Sequence, residues 1–145
     1  MNSAFSFHTR WELAAPVADV QAVLVDLEHY PEWWPQVVAV AKIDDLNARV
    51  LCRSRLPYTL DLVLTSVREE PRLLESRIDG DLVGLALWRL QDVDGTTRLD
   101  YTQDVVVAPG VLGLVARVLR PAMAWNHAQM MEGCLAGLRA RLGAA

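Results

Sequence analysis

The sequence contains few of the residues that carry metal, redox or covalent chemistry. It has two cysteines, Cys52 and Cys134, and three histidines among 145 residues. Two cysteines are too few for a disulfide framework, and their spacing does not fit a zinc site, so we expect buried free thiols and no bound metal. The chain also has no glycine-rich phosphate loop and no Gly-x-Ser-x-Gly element. We therefore expect no cofactor.

Long apolar runs and clusters of charge are missing as well. No run of about 18 apolar residues occurs, which predicts no integral membrane segment. The first residues lack the basic and apolar regions of a secretion signal, so we expect a cytoplasmic protein. The formal net charge is −4 and the basic residues are scattered, which argues against nucleic acid as a partner. The sequence leaves open whether the chain is a monomer or a homodimer.

Apolar residues, by contrast, are abundant. They make up 52% of the chain, more than is usual for a globular protein. A length of 145 residues fits a single domain, residues 1–145, that can bury a sizeable core. Such a composition predicts either a large core or an apolar interior surface.

The pattern along the chain predicts one strand, two short helices, six further strands and a long final helix. Apolar and polar residues alternate in the strands, which are separated by short turn sequences such as Asp94-Gly95. The second short helix is expected in the Tyr30–Pro35 cluster, where at least one of Trp33 and Trp34 should be buried. The predicted strands are Phe5–Leu13, Val37–Ile43, Ala48–Leu56, Tyr58–Glu69, Arg72–Ile78, Val83–Asp92 and Thr97–Val107.

The final helix, predicted over residues 110–142, has one apolar face with the 3.6-residue period. Pro121 predicts a kink or break near Arg120, because proline lacks an N–H group and its ring clashes with the preceding turn. Met123 and Met130 lie on the apolar face, and methionine packs well against an irregular or partly empty space. Asn126 and His127 lie in the same stretch.

The simplest arrangement is a seven-stranded antiparallel sheet that curls around the final helix, an α+β fold. Strand alternation then places several polar or aromatic residues on the concave face, and sparse polar groups in an apolar cavity orient a ligand. In the fifth strand, residues 72–78, the alternation does not decide between Glu75 with Arg77 and Leu74 with Ile78 as the inward face. The predicted ligand-binding residues are Trp11, Trp34, Trp88, Tyr101, Gln103, Met123, Asn126, His127 and Met130.

The chain resembles the START-like helix-grip superfamily, which includes polyketide cyclases and dehydrases, lipid-transfer domains and coenzyme Q-binding proteins. The resemblance rests on Ala14-Ala15-Pro16, the Tyr30–Pro35 turn, the Gly84–Leu90 strand, the Gly95–Tyr101 hairpin and the final helix. The run Trp125-Asn126-His127 is most similar to the bacterial polyketide cyclase/dehydrase-like subset. The resemblance implies a curved sheet gripping a helix, with a hydrophobic molecule between them.

Three functions follow as alternatives. The first is binding of a lipid-, polyketide- or quinone-like molecule in an apolar cavity. The second is a polyketide cyclase/dehydrase-like enzyme, for which His127 and Tyr101 are the catalytic candidates and two titratable groups should reach one point. The third is a protein-interaction module with a filled core and an exposed apolar patch. The mostly aliphatic and aromatic inward positions favour the first.

Overall fold

The computed structural model describes residues 4–143. Seven strands form one antiparallel sheet in the order β1-β7-β6-β5-β4-β3-β2. Every neighbouring pair except β1 and β7 is consecutive along the chain, as expected for a meander. The strands are β1 Ala4–Leu13, β2 Val37–Lys42, β3 Asn47–Cys52, β4 Leu60–Glu70, β5 Leu73–Gly80, β6 Leu82–Val93 and β7 Thr96–Val107.

Helix α1 (Val17–Val25) and a 3₁₀ helix (Leu27–Glu32) connect β1 to β2. After β7 the chain forms α2 (Val111–Val118) and α3 (Arg120–Leu142). The helix is interrupted at Leu119, between α2 and α3, and Pro121 lies in the first turn of α3, which confirms the predicted break. Among residues 4–143, none of the helices combines the length and the hydropathy that a transmembrane span requires. The helix-grip α+β fold predicted from the sequence is confirmed.

The turn between β6 and β7 shows how local sequence sets the register of the sheet. Asp94 and Gly95 both have positive φ, 54° and 86°. Consecutive positive φ values are those of a type I′ turn, whose twist matches the twist of the strands that it joins. The turn aligns Trp88 with Tyr101 and Ala86 with Gln103 on one face of the sheet.

The 3₁₀ helix and α3 are packed against each other through aromatic residues. Tyr30, Trp33 and Trp34 are all buried, and their rings are in mutual contact. The indole Nε1 of Trp34 donates a hydrogen bond of 2.9 Å to the carbonyl oxygen of Met130. A Cβ atom at Gly137 would lie 1.6 Å from the carbonyl oxygen of Trp33, so α3 approaches the backbone here as closely as glycine permits. Both tryptophans are thus buried, where at least one was expected.

In strands β3 to β5 the structure corrects one expected strand boundary and decides one alternative that the sequence left open. The predicted strand at residues 48–56 ends at Cys52, and β4 begins at Leu60 rather than at Tyr58. The segment between them leaves the sheet because the backbone N–H groups of Arg55 and Leu56 bind the side chain of Asn126 instead of a neighbouring strand. In β5 the inward positions are Leu74 and Ile78, which decides the alternative that the sequence left open.

Candidate ligand cavity

The concave face of the sheet and helix α3 enclose a cavity of about 560 Å³. This volume lies within the range of small-molecule sites, which is about 300–1,000 Å³. Most of the wall is aliphatic, aromatic or thioether, from strands β3 to β7 and from the methionines of α3. We refer to it below as the central cavity.

The structure brings eight of the nine predicted ligand-binding residues to the wall of the central cavity. The exception is Trp11, which packs its ring 6.4 Å from that of Trp88, between ring centroids. Trp11 therefore contacts a wall residue from the same face of the sheet, beside the cavity, and does not line the described wall itself. The eight residues on the wall are Trp34, Trp88, Tyr101, Gln103, Met123, Asn126, His127 and Met130.

Tyr101 and Gln103 form a polar pair in this apolar wall. The Tyr101 hydroxyl donates a hydrogen bond of 2.5 Å to Oε1 of Gln103. This distance fits O–H···O and is too short for N–H···O, so the amide oxygen faces the tyrosine and Nε2 faces away. Nε2 has no hydrogen-bond partner among the described residues, and the hydroxyl has already used its one proton. The pair therefore offers the cavity an unused amide donor.

His127 is the second polar group on the wall. Its ring stacks on Phe7 with 3.7 Å between ring centroids and an interplanar angle of 17°. Nε2 is buried without a hydrogen-bond partner in the described part of the chain. Burial lowers the pKa of His127 to about 4, because the charged imidazolium is poorly solvated there. The ring is thus neutral near pH 7, and its Nε2 is unmatched by the described residues.

His127 should make the folded state less stable in acid. Between about pH 6.5 and pH 4 the unfolded chain binds a proton at this site and the folded chain does not, so stability falls as the pH falls. A shift from 6.5 to about 4 corresponds to roughly 3 kcal/mol. We expect His127→Leu to remove this part of the pH dependence, measured by urea unfolding at pH 7, 5.5 and 4.5.

His29 provides the matched control for that experiment. It is exposed, and a hydrogen bond to Asp26 raises its pKa, the opposite direction. Its contribution is present below the unfolded pKa and is lost as the pH rises through the raised value. His29→Gln should therefore keep the loss of stability between pH 6.5 and 4. An unchanged pH dependence in His127→Leu would contradict the burial argument.

At one end of the central cavity, Asn126 fixes the segment between β3 and β4. Its Oδ1 accepts hydrogen bonds from the backbone N–H groups of Arg55 and Leu56, at 2.8 and 3.0 Å. The hydroxyl of Tyr58 contacts the sulfur of Met123 at 3.2 Å. Oδ1 of Asn126 is therefore occupied by the protein itself. Asn126 closes this end of the cavity by holding the β3–β4 segment in place.

At the other end the central cavity reaches the surface between the start of the 3₁₀ helix and the hairpins β2–β3 and β4–β5. Acidic residues outnumber basic ones at this opening. Its acidic residues are Asp26, Glu28, Asp44, Asp45, Glu69 and Glu75, and its basic residues are Lys42 and Arg68. An anionic ligand would be repelled here, whereas an uncharged one would not.

Other wall residues were not predicted as site residues. Phe7 and Tyr58 line the central cavity, and Phe7 is the stacking partner of His127. Phe7 shares the strand face of the buried Phe5 and Leu13, but nothing in the sequence indicates a contact with a residue 120 positions later. Cys52 also lies on the wall, and burial raises the pKa of its thiol to about 12, which leaves it an unreactive neutral group. Among residues 4–143 no group of three or more metal-ligating side chains is found.

Residues 4–143 match the family described as polyketide cyclase / dehydrase and lipid transport, and the chain belongs to that family. A comparison with curated protein sequences found no match. Solved structures, however, share the fold. An aromatase/cyclase from a Streptomyces strain is 22% identical, with a TM-score of 0.76 over 97% of this chain and 92% of its own.

Two further relatives are more distant in sequence. A conserved protein from Geobacillus kaustophilus is 13% identical, with a TM-score of 0.75 over 96% of this chain and 95% of its own. A START superfamily protein from Mycobacterium smegmatis is 19% identical, with a TM-score of 0.66 over 88% of this chain and 94% of its own. At these identities the likeness concerns the fold.

Proposed function

We propose that this protein binds an uncharged hydrophobic small molecule in the central cavity, and that the molecule carries an oxygen that accepts a hydrogen bond. The observation that carries the proposal is the cavity itself, about 560 Å³ of mostly apolar space between the sheet and α3. Its family description, which includes lipid transport and polyketide chemistry, agrees with a ligand of this kind.

The polar groups of the wall define the ligand further. The Nε2 group of Gln103 can donate hydrogen bonds, and its two protons have no acceptor among the described residues. A carbonyl or ether oxygen of the ligand would supply that acceptor. Because the wall is mostly apolar and the opening is acidic, a ligand with a carboxylate or phosphate would be disfavoured.

The effect of burial on the pKa values of His127 and Tyr101 favours binding over acid–base catalysis. A general acid or base works best when its pKa lies near the working pH. Burial lowers the pKa of His127 to about 4 and raises that of Tyr101 far above its usual value, so the histidine is a weak base and the tyrosine a weak acid. Both residues can still orient a ligand through hydrogen bonds.

The proposal can be tested by filling the central cavity. Ala86 lies on its wall opposite Gln103, and Leu85, next to it, is exposed on the convex face. We expect Ala86→Trp to weaken binding of Nile red, an uncharged probe with a ring carbonyl, at least tenfold in a fluorescence titration. Leu85→Trp should bind the probe as the unmodified protein does.

Circular dichroism and the urea midpoint would show whether both variants are folded. Equal Nile red affinities for the unmodified protein and a folded Ala86→Trp variant would overturn the proposal. If the proposal holds, native mass spectrometry of protein purified from its own host would identify the natural ligand. The mass and carbonyl content of that ligand can be compared with these expectations.

A further inference from the structure

Four large apolar side chains are exposed around the junction of α2 and α3. Leu114, Val118, Leu119 and Trp125 are exposed by 61%, 70%, 51% and 50%. They fall within twelve consecutive residues on either side of the break before Pro121. We call these four residues the helix-break patch. Exposed apolar side chains mark an interaction site when they are grouped, and these four lie close together along the chain at one helix junction.

The stretch from residue 105 to residue 131, which contains the helix-break patch, carries a charge opposite to that of the rest of the protein. No acidic residue occurs between Asp104 and Glu132, whereas Arg117 and Arg120 both lie there. The segment therefore carries a net charge of +2, and the remainder of the chain carries −6. Arg117 is exposed beside Val118. The guanidinium of Arg120 lies 4.2 Å above the ring of Phe5 and donates to the carbonyl oxygen of Ala4.

We propose that the helix-break patch docks onto the surface of a membrane that contains anionic lipids. An amphipathic helix with exposed leucine, valine and tryptophan and with arginine as its charged residue lies in the interface of a bilayer, apolar face inward. Tryptophan is favoured at that depth because its ring is apolar and its N–H group is polar. The positive segment would face the anionic surface while the acidic remainder points away.

A second copy of this chain fits the helix-break patch less well. In a twofold symmetric dimer built on the patch, each subunit would present the same positive segment to the other. Arg117 of each subunit would then lie near the like charge of its partner, which costs free energy when apolar burial excludes water. An anionic surface avoids this repulsion and uses the same charges favourably.

The position of the patch also connects it to the central cavity. Met123 lies between Leu119 and Trp125 in the sequence, yet it is buried and lines the cavity. The same stretch of chain thus forms the cavity wall on its inner side and the helix-break patch on its outer side. Docking would bring the end of the central cavity near Met123 and Asn126 next to the bilayer, while the acidic opening lies at the other end.

The test is co-sedimentation of the protein with vesicles at low ionic strength. One set of vesicles is phosphatidylcholine and the other is phosphatidylcholine mixed with phosphatidylglycerol. We expect the bound fraction to be at least tenfold greater on the anionic vesicles, and to fall when salt is added. The double variant Leu114→Ser with Val118→Ser should lose most of this binding.

A matched control is available on the opposite side of the molecule. Val83 and Leu85 are exposed apolar residues of β6, and Val83→Ser with Leu85→Ser should bind vesicles as the unmodified protein does. The proposal is overturned if neither vesicle binds, or if both double variants lose binding equally. It is also overturned if analytical ultracentrifugation shows a dimer that Leu114→Ser with Val118→Ser abolishes. Nile red titration without vesicles tests the central cavity separately, and the patch variant should retain that binding.

Discussion

Replacing Gly137 by alanine is expected to lower the free energy of unfolding by about 3 kcal/mol or more. The usual effect of this change inside a helix is the reverse, a stabilisation of about 1 kcal/mol, because alanine has the higher helix propensity. Here the new Cβ would lie 1.6 Å from the carbonyl oxygen of Trp33. Backbone atoms cannot rotate away, so α3 would have to move off the 3₁₀ helix. Urea unfolding monitored by circular dichroism measures the loss.

Gly133, one turn earlier on the same helix, is the matched control. A Cβ there would approach Oε1 of Gln36 to 2.0 Å, but this atom is the end of a flexible side chain. Gln36 can adopt another rotamer, so Gly133→Ala should cost clearly less than Gly137→Ala. If the Gly137→Ala variant were as stable as the unmodified protein, the close packing of α3 on Trp33 would be refuted.

The second large effect concerns recognition of a carbonyl oxygen in the central cavity. We expect Gln103→Leu to weaken the binding of fluorenone roughly 5- to 150-fold, since leaving a buried polar group unpaired costs about 1–3 kcal/mol. Fluorene, which has the same ring system without the carbonyl, should bind the variant and the unmodified protein equally. Both affinities can be measured by displacement of Nile red.

Two further variants complete this experiment. Gln103→Leu leaves the Tyr101 hydroxyl without an acceptor, so the double variant Gln103→Leu with Tyr101→Phe provides a stable apolar wall. His127→Leu, measured with the same two ligands, tests the other polar group on the wall. An undiminished carbonyl preference in the double variant would contradict the role of Gln103, and an undiminished preference in His127→Leu would show that His127 is not required.

The sequence was sufficient to predict the fold because its local signals agree with one another. Strand alternation, turn residues such as Asp94-Gly95 and the break at Pro121 each act over a few residues, and each is found in the structure. The segment 53–59 was predicted less well. There the strand pattern continues, but the backbone binds Asn126, which lies about 70 residues further along the chain. Contacts of that kind leave no local signal.

The candidate site, too, could be predicted from the sequence only in part. Strand parity placed Tyr101 and Gln103 on the concave face, and the helical period placed Met123 and Met130 opposite them. The hydrogen bond within the Tyr101–Gln103 pair depends on side-chain rotamers, which parity does not determine. The stacking of His127 on Phe7 depends on how α3 crosses β1. Periodicity assigns residues to a face, and only packing shows which of them meet.

The pairing of β1 with β7 has a consequence for how the molecule folds. Strands β2 to β7 pair as successive hairpins, whereas Ala4 of β1 lies opposite Val106 of β7. Closing so long a loop is entropically costly, and non-local pairs of this kind form slowly. The β2–β7 meander can therefore assemble before its edge is completed, and the cavity wall around Phe7 exists only after β1 has joined. A ligand that needs this wall binds the finished sheet alone, so its binding free energy adds to the stability of the folded protein.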